Sequence, residues 1–359
     1  MIQCKLKEIS GNYDITIKYY LKDVLSDINK LIVKEKRNVL IVDRNVYDIY
    51  SEFIHVFVEE SRCEILAIDI KEENKNYETI TLIYDFLIEK NIHRDSTLVA
   101  MGGGVLGDIV GFAASTYMRG VKYINVPTTL ISQTDSSVGG KVGYNYGKIK
   151  NILGSFYNPT AVFIPLETLN SLDNRNYING ICEVIKYSLI YSKDFFAFLE
   201  KNIQSIINRD KETLLYIIQK CLEIKMHIVN EDFKDENKRN VLNFGHTAGH
   251  ALEIISNFNI MHGEAVALGM LIAVKLSEYK LSLSKDIYNR LLKMYFTLGI
   301  DYNYNINNIE EFISIMKRDK KNDEEIRFVL LEDFGKCKIK TKVTEVDLLK
   351  AINEGIGEI

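Results

Sequence analysis

The chain has 359 residues, 47% hydrophobic and 26% charged, with a net charge of −4, an ordinary balance for a soluble globular protein and enough length for two domains. With so small a net charge, no polybasic surface announces nucleic acid or membrane. The apolar run Ala265–Val274 is too short to span a bilayer, and the start (Met1, Ile2, Gln3, Cys4, Lys5) lacks a signal-peptide core. In chain order, NVLIV (Asn38–Val42) and EILAI (Glu64–Ile68) read as buried parallel strands, as do Leu98–Ala100 and Tyr123–Val126. Helical periodicity fills Tyr47–Glu60 and Ile80–Asn91 between them. This alternation predicts a doubly wound α/β domain. After about Pro165 helical patterns take over, at Phe195–Ile207, Lys211–Val229, Val241–Ile255 and Glu264–Tyr279. The second half therefore reads as a separate all-α domain with its boundary near 165–175, and Arg327–Leu331 as a single late strand. Five cysteines, at 4, 63, 182, 221 and 337, form no CxxC and suit reduced thiols in a cytoplasmic enzyme.

The densest information lies between Thr97 and Lys141. A strand pattern, TLVAM, runs into Gly102, Gly103, Gly104 and Gly107, and a helical pattern follows at once. Strand, glycine turn and helix start let backbone N–H groups and a helix dipole approach a phosphate. The acid that usually follows such glycines by about 20 residues is missing, since the next strand ends in Val126-Pro127-Thr128-Thr129. Asp43 and Glu72, after two earlier strands, are offered in its place.

Histidine supplies the second constellation. Only six occur, and His246, His250 and His262 fall close together. His246 and His250 are i,i+4 and share a helix face, a half-site for zinc that wants a carboxylate as further ligand. Glu183, Glu253 and Glu264 are all candidates by spacing. A third group consists of cations set among glycines or apolar residues: Arg119 in YMRG, Lys141 after SSVGG, Lys186 in EVIKY and Arg239 before VLNFGH. Cations in such settings want anionic partners, and beside a nucleotide loop and a metal cluster an anionic substrate is the favoured one.

The assembled residues resemble the 3-dehydroquinate synthases of the sugar-phosphate cyclase family. The resemblance runs over nearly the whole length, through GGGVLGDIVGFAAS (102–115), YMRG (117–120), VPTTLISQTDSSVGGK (126–141), KNILGSFYNP (150–159), CEVIKY (182–187), LNFGHTAGHALE (242–253), HGEAVALGM (262–270) and RDKK (318–321). It implies an N-terminal Rossmann-like NAD domain, residues 1–170, and a C-terminal helical domain for metal and substrate, residues 171–359. It also implies a lyase of aromatic amino acid biosynthesis (the shikimate pathway), working in the cytoplasm as a homodimer. Its substrate would be the small sugar phosphate 3-deoxy-D-arabino-heptulosonate 7-phosphate, and its cofactors NAD and one Zn2+ or Co2+.

By motif, the metal ligands would be Glu183, His246 and His262. NAD would contact Asp43, Asn45, Glu72, Lys75, the loop Gly103, Gly104, Val105, Leu106, Gly107 and Asp108, then Thr128 and Thr129, and Thr168, Leu169, Asn170 and Ser171. Lys141, Lys150 and Asn151 would serve cofactor and substrate together. Asp135, Lys186, Lys225, Arg239, Asn243 and His250 would surround the substrate, with Lys141, Asp135 and His250 in catalytic roles. One of Lys320 and Lys321 would close over the substrate, and Arg119 would reach a neighbouring subunit's phosphate site. The implied reaction oxidises a secondary alcohol with NAD, eliminates phosphate, returns the hydride and closes the ring by aldol addition. The chain departs from the family pattern at Ser171–Asn176, which lacks the usual Pro and Glu, at Tyr146-Gly147, where His-Pro is common, and at Cys182, where Ala is usual.

Overall fold

The computed structural model describes residues 2–8, 13–34, 36–147, 149–318 and 325–357. Lys320 and Lys321 therefore lie outside the described residues. The chain divides into two compact units, Met1–Asp173 with Leu214–Lys234, and Asn174–Thr213 with Asp235–Ile359.

In the first unit β1 (Ile2–Glu8) and β2 (Tyr13–Lys18) lead into α1 (Leu21–Leu31). Then come β3 (Val39–Asp43), α2 (Arg44–Ile49), α3 (Ser51–Ser61), β4 (Glu64–Ile68) and α4 (Tyr77–Glu89). They are followed by β5 (Thr97–Gly102), α5 (Gly104–Thr116) and β6 (Lys122–Pro127). A hairpin, β7 (Lys141–Tyr146) and β8 (Ile149–Phe156), precedes β9 (Ala161–Pro165) and α6 (Thr168–Ser171). The seven-stranded sheet runs β1-β2-β9-β6-β5-β3-β4, parallel throughout except for the β1–β2 pair.

Alternation along the strands sends side chains to two cores. Leu40, Val42, Val99 and Met101 pack with Leu21, Ile54 and Phe57 of α1 and α3. Val39, Ile41, Leu98 and Ala100 pack with Ile83, Leu106 and Ile109 of α4 and α5. Helices cover both faces, the doubly wound arrangement expected. From β3 the chain steps outward to β4, then returns to place β5 on the other side of β3. The carboxyl ends of β3 and β5 thus flank the point where strand order reverses, which is where such sheets bind ligands.

The second unit contains α7 (Asn174–Tyr191), α8 (Lys193–Lys201) and α9 (Ile203–Ile207). Next in the chain is α10 (Lys211–Glu231), of which Leu214 onward belongs to the first unit although sequence reading places it in the second domain. The second unit resumes with α11 (His246–Ile255), α12 (His262–Leu281), α13 (Lys285–Leu298) and α14 (Ile309–Arg318). The hairpin β10 (Arg327–Asp333) and β11 (Lys336–Lys342) and helix α15 (Glu345–Ile356) complete it. The late strand expected at Arg327–Leu331 is thus one arm of a hairpin in an otherwise helical unit. Its central helix is α12, buried on all sides from Ala265 to Ser277 and flanked by α7, α11, α13, α15 and β10. Among the described residues, no helix is long and apolar enough to cross a membrane.

Candidate active site

In the first unit the glycine turn sits at the carboxyl end of β5 and opens α5, as the sequence predicts. The turn is tightly enclosed: a Cβ on Gly104 would lie 2.6 Å from Ser136 Oγ, and one on Gly103 would lie 3.2 Å from Thr129 Cγ2. One on Gly102 would lie 3.2 Å from Asp43 Cβ. The acid that a dinucleotide site needs therefore reaches the glycines from β3, which lies beside β5 although it comes much earlier in the chain. Asp43 caps α2 by accepting from the Asn45 N–H at 2.9 Å, and burial raises its pKa above the usual carboxylate value despite that bond.

A second group forms beyond β4. Lys75 Nζ lies 2.6 Å from both Asp108 and Asn151 Oδ1. Asn145 Nδ2 donates to Glu72 Oε1 at 2.8 Å, and Asn145 Oδ1 accepts from the Asn151 N–H at 2.8 Å. Glu72, Lys75, Asp108 and Asn151 are thus drawn into one network through Asn145, which sequence reasoning missed because it lies in the unread hairpin. Burial raises the pKa of Asp108 against the pull of Lys75. Thr168 and Leu169 are buried, and Thr168 Oγ1 accepts from Gln133 Nε2 at 3.1 Å. Ser171 Oγ is 2.9 Å from the Tyr50 hydroxyl, so the altered turn keeps its hydroxyl engaged.

Other expected residues of this unit are dispersed. Lys225 Nζ pairs with Asp135 Oδ1 at 2.5 Å and also donates to the Asp135 carbonyl at 2.6 Å. Lys141 and Lys150 occupy opposite ends of the β7–β8 ribbon, about 17 Å apart at strand rise. Leu106 and Leu169 are fully buried, leaving only their backbone for a cofactor. Arg119 is exposed on a turn whose Met118 and Arg119 have φ of 49° and 65°.

In the second unit three helices converge. Glu183 comes from the middle of α7, His246 from the first residue of α11 and His262 from the first residue of α12. Glycines make the approach of α11 and α12 close. A Cβ on Gly269 would run into the Gly245 carbonyl, and one on Gly249 would lie 3.1 Å from the Ala265 carbonyl oxygen. Gly245 itself needs the left-handed backbone, at φ 79°. Glu183 Oε1 is 3.7 Å from His246 Nε2 and 3.5 Å from His262 Nε2. One ligand atom from each of the three lies within 4.8 Å of the others.

The cluster concentrates charge around a buried carboxylate. The Glu183 side chain is 1% exposed, and neither carboxylate oxygen makes a hydrogen bond, although Lys186 Nζ stands 2.5 Å from Oε2. Burial opposes its charge, yet Lys186 and the two imidazoles hold the carboxyl well below the usual range. Burial and then Lys186 keep His246 well below its normal pKa, hence neutral with a lone pair available. Burial would also lower His262, but Glu183 and Glu253 push it up to about 10. A buried carboxylate with two imidazoles beside it is the set of residue types that a catalytic zinc site with an open position uses.

Among the carboxylates that spacing left open, Glu264 is engaged by Arg175 through both oxygens at 2.8 Å and caps α12 at the Met261 N–H. Glu253 lies behind His262, at its other nitrogen. His250, one turn beyond His246 with ring centroids 5.3 Å apart, is exposed. It lines a cavity of about 400 Å3 with Asn243, His246, Arg327 and Lys340. Lys186 and Arg239 are 1% and 3% exposed. Arg239 and Asn243 share the 3-10 turn Lys238–Asn243, which lies against α7, β10 and β11. Arg327 and Lys340 were not read from the sequence, where they look like ordinary strand-edge cations.

Two family models match the chain, 3-dehydroquinate synthase N-terminal over residues 65–179 and 3-dehydroquinate synthase C-terminal over residues 180–322. A 3-dehydroquinate synthase of Clostridium tetani is 46% identical over 357 residues, covering 98% of this chain and 96% of its own. Among solved structures, the 2-epi-5-epi-valiolone synthase of Streptomyces hygroscopicus subsp. jinggangensis with NAD+ and Zn2+ bound is 25% identical, with a TM-score of 0.88 over 97% of each chain. A 2-deoxy-scyllo-inosose synthase complexed with carbaglucose-6-phosphate, NAD+ and Co2+ is 26% identical, with a TM-score of 0.87 over 98% of this chain and 100% of its own.

Proposed function

The chain belongs to the 3-dehydroquinate synthase family, and from that premise we propose that it converts 3-deoxy-D-arabino-heptulosonate 7-phosphate to 3-dehydroquinate and phosphate. The observation that carries this reading is the convergence of Glu183, His246 and His262, with both Glu183 oxygens lacking a hydrogen bond inside the protein. When bound, NAD supplies reversible oxidation of a secondary alcohol, and a divalent metal supplies Lewis-acid polarisation of the alcohol oxygen.

The first unit would hold NAD with the Gly103–Asp108 turn against its pyrophosphate, Asp43 on a ribose and Glu72, Lys75 and Thr128 around it. Its place at the strand-order reversal supports this. The second unit would hold the metal with Glu183, His246 and His262. Lys186, Arg239 and Asn243 would bind the anionic groups of the substrate, and burial strengthens the charges of Lys186 and Arg239. Asp135, held by Lys225, and Lys141 are further proposed substrate contacts. His250 would exchange a proton at a ring nitrogen, since it is exposed beside the metal ligands. The substrate's own phosphate would serve as the base for its elimination. Residues 1–170 and 171–359 are proposed as the cofactor and the metal-and-substrate domains. We also infer a cytoplasmic homodimer, with exposed Arg119 reaching the partner's substrate phosphate.

The test is a substrate comparison with identified products. The purified chain, with zinc and NAD, should cyclise the heptulosonate phosphate and leave sedoheptulose 7-phosphate and glucose 6-phosphate, which lack the carboxylate, unchanged. Turnover of either of those with the heptulosonate untouched would move the assignment to another sugar-phosphate cyclase.

A further inference from the structure

His262 faces a carboxylate at each ring nitrogen. Its Nε2 faces Glu183 Oε1 at 3.5 Å, and its Nδ1 faces Glu253 Oε2 at 3.4 Å. Glu253 is 3% exposed. It follows His246 by seven residues and His250 by three on α11, so all three share one helix face, and the close crossing of α11 over α12 carries Glu253 to the back of the His262 ring. No residue of the reaction as described above uses it. An imidazole whose Nδ1–H donates to a carboxylate is fixed in one tautomer, with the Nε2 lone pair directed away from that carboxylate and made more basic.

We infer that Glu253 is a positioning residue, which orients His262 and fixes its tautomer so that Nε2 is presented to a divalent metal beside Glu183. This rests on the metal site proposed above. Two other roles compete: Glu253 could serve only as a buried structural anion, or it could itself ligate a second ion with His250 and His262, whose ligand atoms lie within 4.8 Å of it.

The experiment measures zinc affinity and stoichiometry on the full chain by competition with a chromophoric chelator, for the parent, Glu253→Gln and Glu253→Ala. It adds the visible spectrum of the cobalt-loaded proteins and NAD affinity as a check on folding. Glu253→Ala should bind one zinc with affinity reduced ~10- to 100-fold, the range for lost carboxylate partners of metal-bound histidines. Glu253→Gln keeps the shape and an acceptor oxygen and should fall between it and the parent. Both should shift the cobalt absorption with NAD affinity unchanged.

Zinc affinity within about twofold of the parent, with an unchanged cobalt spectrum, would overturn the inference. So would a fall in stoichiometry from two zinc ions to one, or a parallel loss of NAD binding in both variants, which would make the role structural. A parent chain that binds no zinc would instead sink the metal reading, so the two failures are distinguishable.

Discussion

Glu183 stands 1% exposed, a carboxylate that solvation energy strongly disfavours, with Lys186 as its counter-charge. Glu183→Gln removes the anion but leaves the Lys186 ammonium buried. It should abolish zinc retention and lower unfolding free energy by about 3 kcal/mol, the low end for breaking a buried pair. Metal analysis and urea denaturation measure the two effects. An isosteric change that leaves zinc content intact would remove Glu183 from the ligand set. A different sign of charge governs Lys75. Asp108 already has a raised pKa, so its protonated form favours the fold; that contribution is fully present below the unfolded value near 3.8 and is lost as pH rises through the higher folded value. Lys75→Met removes the group that counters this rise. The variant should lose up to about 3 kcal/mol near neutral pH, limited because Asp108 keeps 23% exposure, and should recover part of the deficit at about pH 5. Urea midpoints at both pH values report it; a deficit independent of pH would mean that Asp108 is not the group left unpaired. These residues differ in how far sequence exposed them. Histidine spacing points to His246 and His250, whereas the structure also brings His246 together with His262 and Glu183, which come from three helices that no single periodicity holds. Motif resemblance named all three; only the fold shows that Arg175 has already engaged Glu264.

Two elements decide whether those three side chains meet. Helices α11 and α12 approach backbone to backbone at Gly245, Gly249 and Gly269. Gly269→Ala would push a methyl group into the Gly245 carbonyl, next to His246. Overpacking of this kind costs about 1–3 kcal/mol, and here the loss should come with weakened zinc binding although no ligand is changed. Calorimetry and chelator competition test the pairing; a destabilised variant with parental zinc affinity would mean that the helix crossing does not set the metal geometry. The same pair marks a limit of sequence reading, since glycine in a helix is a propensity cost until its neighbour is known. Strands β3, β5 and β6 were legible because both faces are buried and their apolar runs are continuous, and edge strand β4 because EILAI keeps such a run although it is only partly buried. The β7–β8 ribbon was not, because KVGYNYGKIKNILGSF mixes glycine, lysine and asparagine into strands exposed along much of their length. Asn145, the hub of the Glu72–Lys75–Asp108–Asn151 network, went unseen with it.

For the whole molecule, the α/β-then-helical order was readable from the switch in periodicity near residue 165. The return of Leu214–Lys234 to the first unit was not, since it is a tertiary pairing of a helix that looks like its neighbours in sequence. If Arg119 serves a partner's site, mixing inactive Arg119→Ala and His246→Ala chains should restore activity that neither has alone, because exchanged dimers contain one intact site. Mixtures as inactive as their components, under conditions where subunits exchange, would confine Arg119 to its own subunit. In the proposed reaction NAD and a metal act as resident catalysts of a phosphate-eliminating cyclisation. The most direct measurement counts phosphate and 3-dehydroquinate released per NAD from the heptulosonate phosphate, before chelation, after it and after zinc is restored. Resident cofactors should give many turnovers per NAD, equal yields of both products, no accumulating NADH, loss on chelation and recovery with zinc. One NADH accumulating per substrate consumed, or turnover indifferent to chelation, would contradict the proposed reaction.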